Sequence, residues 1–188
     1  MLFNKLINNC GGDFTIAPTV VYITYKQILY RNVEEKVVSA SYTGGCQCGQ
    51  IRYEIRAEPL TLYLCHCKEC QKQSSSAFGM SLTVPRDAVV IVQGQPKTWT
   101  RKADSGREVK CLFCDNCGTR LFHDRAYNRE TINVKAGTLD DTSWLRPVGN
   151  IWTSSAQPWV LISDELLNYE GQPQDVHPLW EKWTQHLG

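Results

Sequence analysis

The sequence predicts a mainly β fold, built from antiparallel sheets with only short helices. Three observations carry that expectation. From Ser41 onward, short runs rich in β-branched and aromatic residues alternate in polarity. Gly, Pro, Asp and Asn punctuate those runs at short intervals. An amphipathic helical pattern of any length appears only near the C-terminus.

The elements follow in chain order. Residues 1–40 are expected to be an extension of uncertain structure, because "TVVYITYKQILY" fits a strand or a helix equally. The domain proper is expected over residues 41–171. "GGCQCGQIRYEI" is a glycine turn entering a strand, with Ile51, Tyr53 and Ile55 on one face. "AVVIVQG", "KTWTRK", "REVKCLF", "TRLFHD" and "TINVKAGTL" read as further strands, and "CKECQKQ" allows a short helix. Within residues 172–188, "DVHPLWEKWTQHL" reads as an amphipathic helix with Leu179, Trp180 and Trp183 inward.

Composition narrows the function. The chain has 188 residues, 42% hydrophobic and 21% charged, as a globular protein does. Its formal net charge of +1 supplies no field for nucleic acid or an anionic membrane, and neither partner is expected. No run of 18 apolar residues is present. The first residues offer one early Lys5 and the short patch "IAPTVVYI", without a secretory h-region or cleavage site. A cytoplasmic protein is therefore expected.

Nine cysteines stand out against that background. A reducing compartment disfavours disulfides, and an odd number cannot pair completely. Cys10 stands alone and suits a buried, small hydrophobic role. The other eight fall in three short runs, which favours metal ligation. Cys114 and Cys117, followed by Gly118, have the shape of a zinc knuckle. The glycine permits the positive φ that turns backbone N–H groups toward sulfur. Cys46 and Cys48 share a face of an extended chain and also precede a glycine. Together the two pairs make a closed, four-thiolate structural site. Cys111 is expected to point away from it into the core, since alternation along "EVKCLFC" puts it opposite Cys114.

"CHCKEC" at residues 65–70 is different. Cys65, Cys67 and Cys70 combine a same-face pair with a one-turn return, a tripod for one zinc with an open fourth position. That is the pattern of a catalytic site. His66 and His123 are weaker candidates for the fourth ligand. His66 should face the other way from its neighbours and take a surface or hydrogen-bonding role.

"SYTGGCQCGQIRYEI", "CHCKECQKQSSSAFG", "FCDNCGTRLF" and "NIWTSSAQPW" together resemble the glutathione-dependent formaldehyde-activating enzyme family, which includes centromere-protein-V-like proteins. The resemblance covers about residues 41–171. It implies a β-tent fold of zinc-stapled, mostly antiparallel sheets. It implies structural zinc on Cys46, Cys48, Cys114 and Cys117, and catalytic zinc on Cys65, Cys67 and Cys70, two ions per chain. It also implies a carbon–sulfur lyase or synthase joining glutathione, or a similar small thiol, to formaldehyde or another aldehyde.

A glutathione-like ligand calls for cations and an apolar wall. Lys68, Lys72, Arg52 and Arg120 are the candidate cations, and Trp152 and Trp159 the candidate lip of a pocket around "TSSAQP". The competing reading is a non-catalytic zinc module that binds a partner, which a fourth protein ligand on the tripod would favour. A thiol redox enzyme would need a free reactive cysteine, and only Cys10 and Cys111 are left for that.

Overall fold

The computed structural model describes residues 41–103, 105–125 and 127–187. The expectations for residues 1–40, Cys10 included, lie outside the described residues. Among the described residues, eleven strands and two short helices follow one another: β1 Tyr42–Gly45, β2 Arg52–Ile55, β3 Thr61–Cys65, α1 Lys68–Ser74, β4 Gly79–Pro85, β5 Val89–Gln93, β6 Lys97–Lys102, β7 Glu108–Phe113, β8 Arg120–Arg125, β9 Thr131–Lys135, β10 Gly149–Ile151, β11 Leu167–Tyr169 and α2 His177–Leu187. The fold is mainly β, in two sheets.

A three-stranded sheet has the order β1-β2-β5, and an eight-stranded sheet the order β11-β10-β3-β4-β9-β8-β7-β6. Pairing is antiparallel except around β10, which runs parallel to both β3 and β11. The sheets are thus mostly antiparallel, as expected, with both parallel pairs among the described residues made by β10. A parallel partner requires a long crossover, and the irregular stretches after β9 and β10 supply it.

The core forms between the sheets because strand alternation gives each one apolar face. Ile51, Tyr53 and Ile55 are fully buried, as their spacing predicts. They meet the other sheet's Leu62, Leu82, Val84, Phe122 and Val134 in one cluster. Each such side chain contributes about 1.5–3 kcal/mol through burial. Tyr53 packs edge-on to Phe122 at 5.0 Å, and its hydroxyl lies 2.8 Å from Thr138 Oγ1. Gly44 is required beside it, since a Cβ there would stand 2.4 Å from Tyr53 Oη.

The other face of the large sheet is polar yet buried. Ser81, Thr83, His123, Thr131, Asn133 and Lys135 are all nearly inaccessible to solvent. Alternation of polar and apolar residues ordinarily marks a solvated face. Here the polar groups partner one another instead: Thr83 Oγ1 donates to Asn133 Oδ1 at 3.0 Å, and Asn133 Nδ2 donates to Tyr63 Oη at 2.9 Å. Such bonds remove most of the cost of burying them.

α2 begins where Asp175 accepts from His177 N at 2.9 Å, with Pro178 in the first turn. Leu179 and Trp183 are buried, and Trp180 is half-buried against them. Thr61 Oγ1 donates to Leu179 O at 3.1 Å and ties this helix to β3.

Candidate functional site

Two groups of cysteines converge. In the first, the turn after β1 carries Cys46 and Cys48, and the β7–β8 turn carries Cys114 and Cys117. Their four sulfurs lie within 4.8 Å of one another. Cys46 and Cys48 sulfurs are 3.5 Å apart, and those of Cys48 and Cys114 3.7 Å. A tetrahedron with ~2.3 Å zinc–sulfur bonds has edges of about 3.8 Å, so the donor set fits zinc. These separations are far too long for disulfides, and all eight described cysteines are free.

The sequence builds the two turns alike. Gly49 and Gly118 sit at φ 77° and 75°, and their N–H groups donate to the carbonyls of Cys46 and Cys114. A Cβ at either would meet nothing, so conformation and not space selects glycine there. Ile51 N donates to Cys46 Sγ at 3.2 Å, and the Thr119 hydroxyl lies 3.2 Å from Cys117 Sγ. Thr119 thereby brings the Cys117 thiol down to about 6. Gln47 N donates to the same hydroxyl at 3.2 Å and links the two turns.

In the second group, β3 ends on Cys65, Cys67 caps α1, and Cys70 lies within its first turn. Their three sulfurs also lie within 4.8 Å of one another. Cys67 is extended, at φ −61° and ψ 151°, and its sulfur accepts from Cys70 N at 3.4 Å. Hydrogen bonds from the Cys65 and Cys70 thiols hold Cys67 well below the usual thiol range, and this sharing pushes Cys65 up. Such a group ionises readily at one sulfur and needs a cation to ionise at all three. Gly79 pairs with Cys65 in register, and a Cβ on it would stand 3.3 Å from Cys70 Cβ. Gln71 fixes α1 from behind, donating to His66 O at 2.6 Å and Ser155 O at 2.8 Å.

Neither candidate histidine joins the tripod. His66 points away from its neighbours, as alternation predicts. It is fully buried, not at the surface, with Nε2 donating to Asn150 Oδ1 at 2.9 Å. His123 lies against Gln73 Oε1 at 2.7 Å and Lys135 Nζ at 3.0 Å. Burial, and then the charge of Lys135, holds its imidazole well below the usual range. Burial likewise brings Lys135 down to about 8. Cys111 is buried and outside both groups, but its surroundings are not the apolar core. Gln73 Nε2 donates to its sulfur at 3.3 Å, and His123 stands opposite it in register.

The tripod lies on the wall of a cavity of about 500 Å3. This is within the range of small-molecule sites, and the four-sulfur group lines no part of it. Of the six candidates for substrate contact, Lys68 and Trp152 line it. Lys68 Nζ donates to Ser155 O at 3.3 Å. Trp152 holds a left-handed backbone at φ 61°, a conformation that costs a non-glycine residue about 1–3 kcal/mol. Lys72 is exposed and pairs with Glu69 at 3.2 Å. Arg52 belongs to the small sheet and forms a two-pronged ion pair with Asp140. Arg120 donates to Gln73 Oε1 at 2.6 Å, and Trp159 is 72% exposed.

Sequence reasoning missed Arg101, Arg107 and Arg125, which also line the cavity. One signal was available for Arg125, which falls two residues along β8 from the buried His123, but none for Arg101, since no residue of β6 is buried. Their strands' register, however, is a long-range property.

Residues 41–155 match the family described as glutathione-dependent formaldehyde-activating enzyme. A protein of Penicillium rubens named "Putative glutathione-dependent formaldehyde-activating enzyme" is 32% identical over 89 residues, covering 45% of this chain and 46% of that one. The chain thus matches about half the length of this curated relative. A Rhodobacter sphaeroides protein of solved structure, a structural-genomics target, aligns with a TM-score of 0.43 at 22% identity. That alignment covers 56% of this chain and 91% of the other. With a match spanning more than half of its length and including both cysteine groups, the chain belongs to the glutathione-dependent formaldehyde-activating enzyme family.

Proposed function

We propose that this chain is a zinc-dependent enzyme joining a small thiol, glutathione or a close analogue, to an aldehyde such as formaldehyde. The observation that carries this reading is the contrast between its two sulfur groups. One offers four ligands and is complete; the other offers three, on the wall of a cavity.

Cys46, Cys48, Cys114 and Cys117 would hold a structural zinc, and Cys65, Cys67 and Cys70 a catalytic one. When bound at the tripod, zinc supplies a Lewis-acid position at which a thiol gives up its proton near neutral pH. The remaining work belongs to the chain. β3 and α1 fix the three sulfurs, and Gly79 leaves room for them. Tyr63, Ile151 and Trp152 wall the cavity and restrict water. Holding thiol and aldehyde in one small space supplies proximity. The net reaction forms a bond from sulfur to the carbonyl carbon. The C=O π pair moves to oxygen, which gains the proton the thiol has lost. No oxidant or reductant is needed.

A non-catalytic partner-binding module of the same fold would want a fourth protein ligand on the tripod. The engagement of His66 with Asn150, and of His123 with Gln73 and Lys135, supports the enzyme reading. The free state of the described cysteines supports a reducing, cytoplasmic setting.

Exchange NMR of formaldehyde with glutathione tests the proposal on zinc-loaded, full-length protein. Wild type should accelerate formation of the adduct, and Cys67→Ser and Cys70→Ser should not. Equal exchange rates for wild type and both variants would sink the reading.

A further inference from the structure

The cavity beside the tripod is lined by cations that form no salt bridge among the described residues. Lys68, Arg101, Arg107 and Arg125 line it. Among the described lining residues the one carboxylate is Glu69, already paired with Lys72 at 3.2 Å. The chain as a whole is only +1, so this concentration is local. Other arginines show the usual solution: Arg52, Arg56 and Arg86 each meet an acidic side chain, Asp140, Glu54 and Asp124.

Strand register explains the cluster. Arg101 on β6 and Arg125 on β8 both stand opposite Val109 on β7. Flanking strands lie ~10 Å apart, two spacings of about 4.8 Å, and residues in one rung leave the sheet on the same side. Two guanidinium groups therefore project into the same cavity. The Nε–H groups of Arg101 and Arg125 are buried without a partner among the described residues. Arg125 Nη2 has only long contacts, 3.4 Å to Thr131 Oγ1 and 3.4 Å to Asn133 Oδ1. Arg107 joins them with its guanidinium stacked 4.7 Å over the Tyr127 ring, which orients its plane. Preoriented guanidinium groups with unmet donors suit carboxylate, which accepts two parallel N–H bonds from one such group.

We infer that Arg101, Arg125 and Arg107 form an anion-recognition wall, so that the tripod's ligand is a thiol bearing carboxylate at the far end from its sulfur. This rests on the thiol-binding reading above and adds what selects among thiols. The tripod would bind any accessible thiol; the arginines would give the acidic ones their advantage. A neutral thiol of equal reactivity would reach the metal and leave the guanidinium groups unsatisfied, a loss typical of sites built around polar partners.

The competing role for these arginines is to offset the negative charge of three thiolates. The two roles differ in what they do to a neutral thiol. Calorimetry on zinc-loaded, full-length protein at low salt, with glutathione, 2-mercaptoethanol and S-methylglutathione, separates them. Wild type should bind glutathione at least tenfold more tightly than 2-mercaptoethanol, and high salt should shrink that ratio. Arg101→Gln/Arg125→Gln should bring glutathione to the level of 2-mercaptoethanol without moving the latter. Arg107→Gln, which leaves the β6–β8 rung intact, should give a partial loss in the same direction. S-methylglutathione, lacking the thiol, should bind weakly and lose that binding in the double variant. An equal loss for neutral and acidic thiols in the variants would overturn the inference in favour of charge offset. Equal affinities for glutathione and 2-mercaptoethanol in wild type would overturn it too. If glutathione binds no more tightly than S-methylglutathione, 2-mercaptoethanol does not bind, and the double variant loses both glutathione forms, the wall stands and the thiol-binding reading falls.

Discussion

Lys135 Nζ donates to His123 Nδ1 across 3.0 Å, in the buried polar face beside the tripod. An ammonium has no acceptor, so this contact fixes the imidazole as the tautomer protonated at Nε2, which donates to Gln73 Oε1 at 2.7 Å. Burial first, then Lys135, Arg120, Arg101 and Arg125, holds His123 neutral well below its usual range. Cys111 faces it in register from β7, as Asn133 does from β9.

A pH dependence follows. Below about pH 6.5 an unfolded His123 binds a proton that the native one refuses. The unfolded state then holds more protons, so stability falls as pH falls, by at most about 1.4 kcal/mol per unit for this group. His123→Gln should flatten the stability profile between about pH 5 and 6.5. Urea denaturation of both proteins at several pH values measures it. An unchanged slope in the variant would show that His123 is not the group responsible.

The two cysteine groups should fail differently when damaged. Cys114 is fully buried, and its partners join turns 66 residues apart. Metal binding at such a site is part of the folding free energy. Cys114→Ser should cost several kcal/mol, about 10 °C or more in melting temperature for a domain of this size. Cys67→Ser should leave the melt within a few degrees of wild type and lower the zinc content by one equivalent. Comparable unfolding in both variants would make the tripod a structural element.

Gly79 controls how closely β4 approaches α1. A methyl group there would stand 3.3 Å from Cys70 Cβ and 3.6 Å from its sulfur, so the neighbours must yield by a few tenths of an ångström. Gly79→Ala should cost about 1 kcal/mol in stability, in line with mild overpacking. Its clearer effect should be weaker zinc retention at the tripod, read by competition with a chromogenic chelator. Retention equal to wild type would mean that Cys70 has more freedom than its packing suggests.

How much of this was legible in the sequence depended on the range of the interaction. Cys65, Cys67 and Cys70 could be grouped because i, i+2 and i+3 relations are fixed by the local backbone. Gly118 could be assigned because a knuckle turn needs positive φ. Trp183 and Leu179 were visible through helical periodicity. Arg101, Arg107 and Arg125 were not, since their approach to the tripod depends on the order β3-β4-β9-β8-β7-β6 and on each register within it. Arg52 and Lys72 looked equally suitable in the chain, but each neutralises a nearby carboxylate. Lys135 gave the most misleading signal: "TINVK" alternates like a half-exposed strand, yet every residue of β9 is buried.

Zinc removal should proceed in two steps. The four-sulfur group is coordinatively complete, with Cys114 wholly inaccessible and Thr119 and Ile51 hydrogen-bonded to its sulfurs. A chelator can reach the exposed Cys48, but to strip the metal it must also displace the buried Cys46 and Cys114, which requires the turns around Gly49 and Gly118 to open and couples release to unfolding. The three-sulfur group lines a cavity and needs no such opening. Excess chelator should therefore take one zinc quickly, with far-UV circular dichroism unchanged. The second should leave slowly, together with the β signal, and in equal amount. On the proposed function, glutathione added beforehand would occupy the open corner of the tripod and should slow the fast phase alone. A single phase, or loss of the β signal with the first zinc, would mean that both groups are staples.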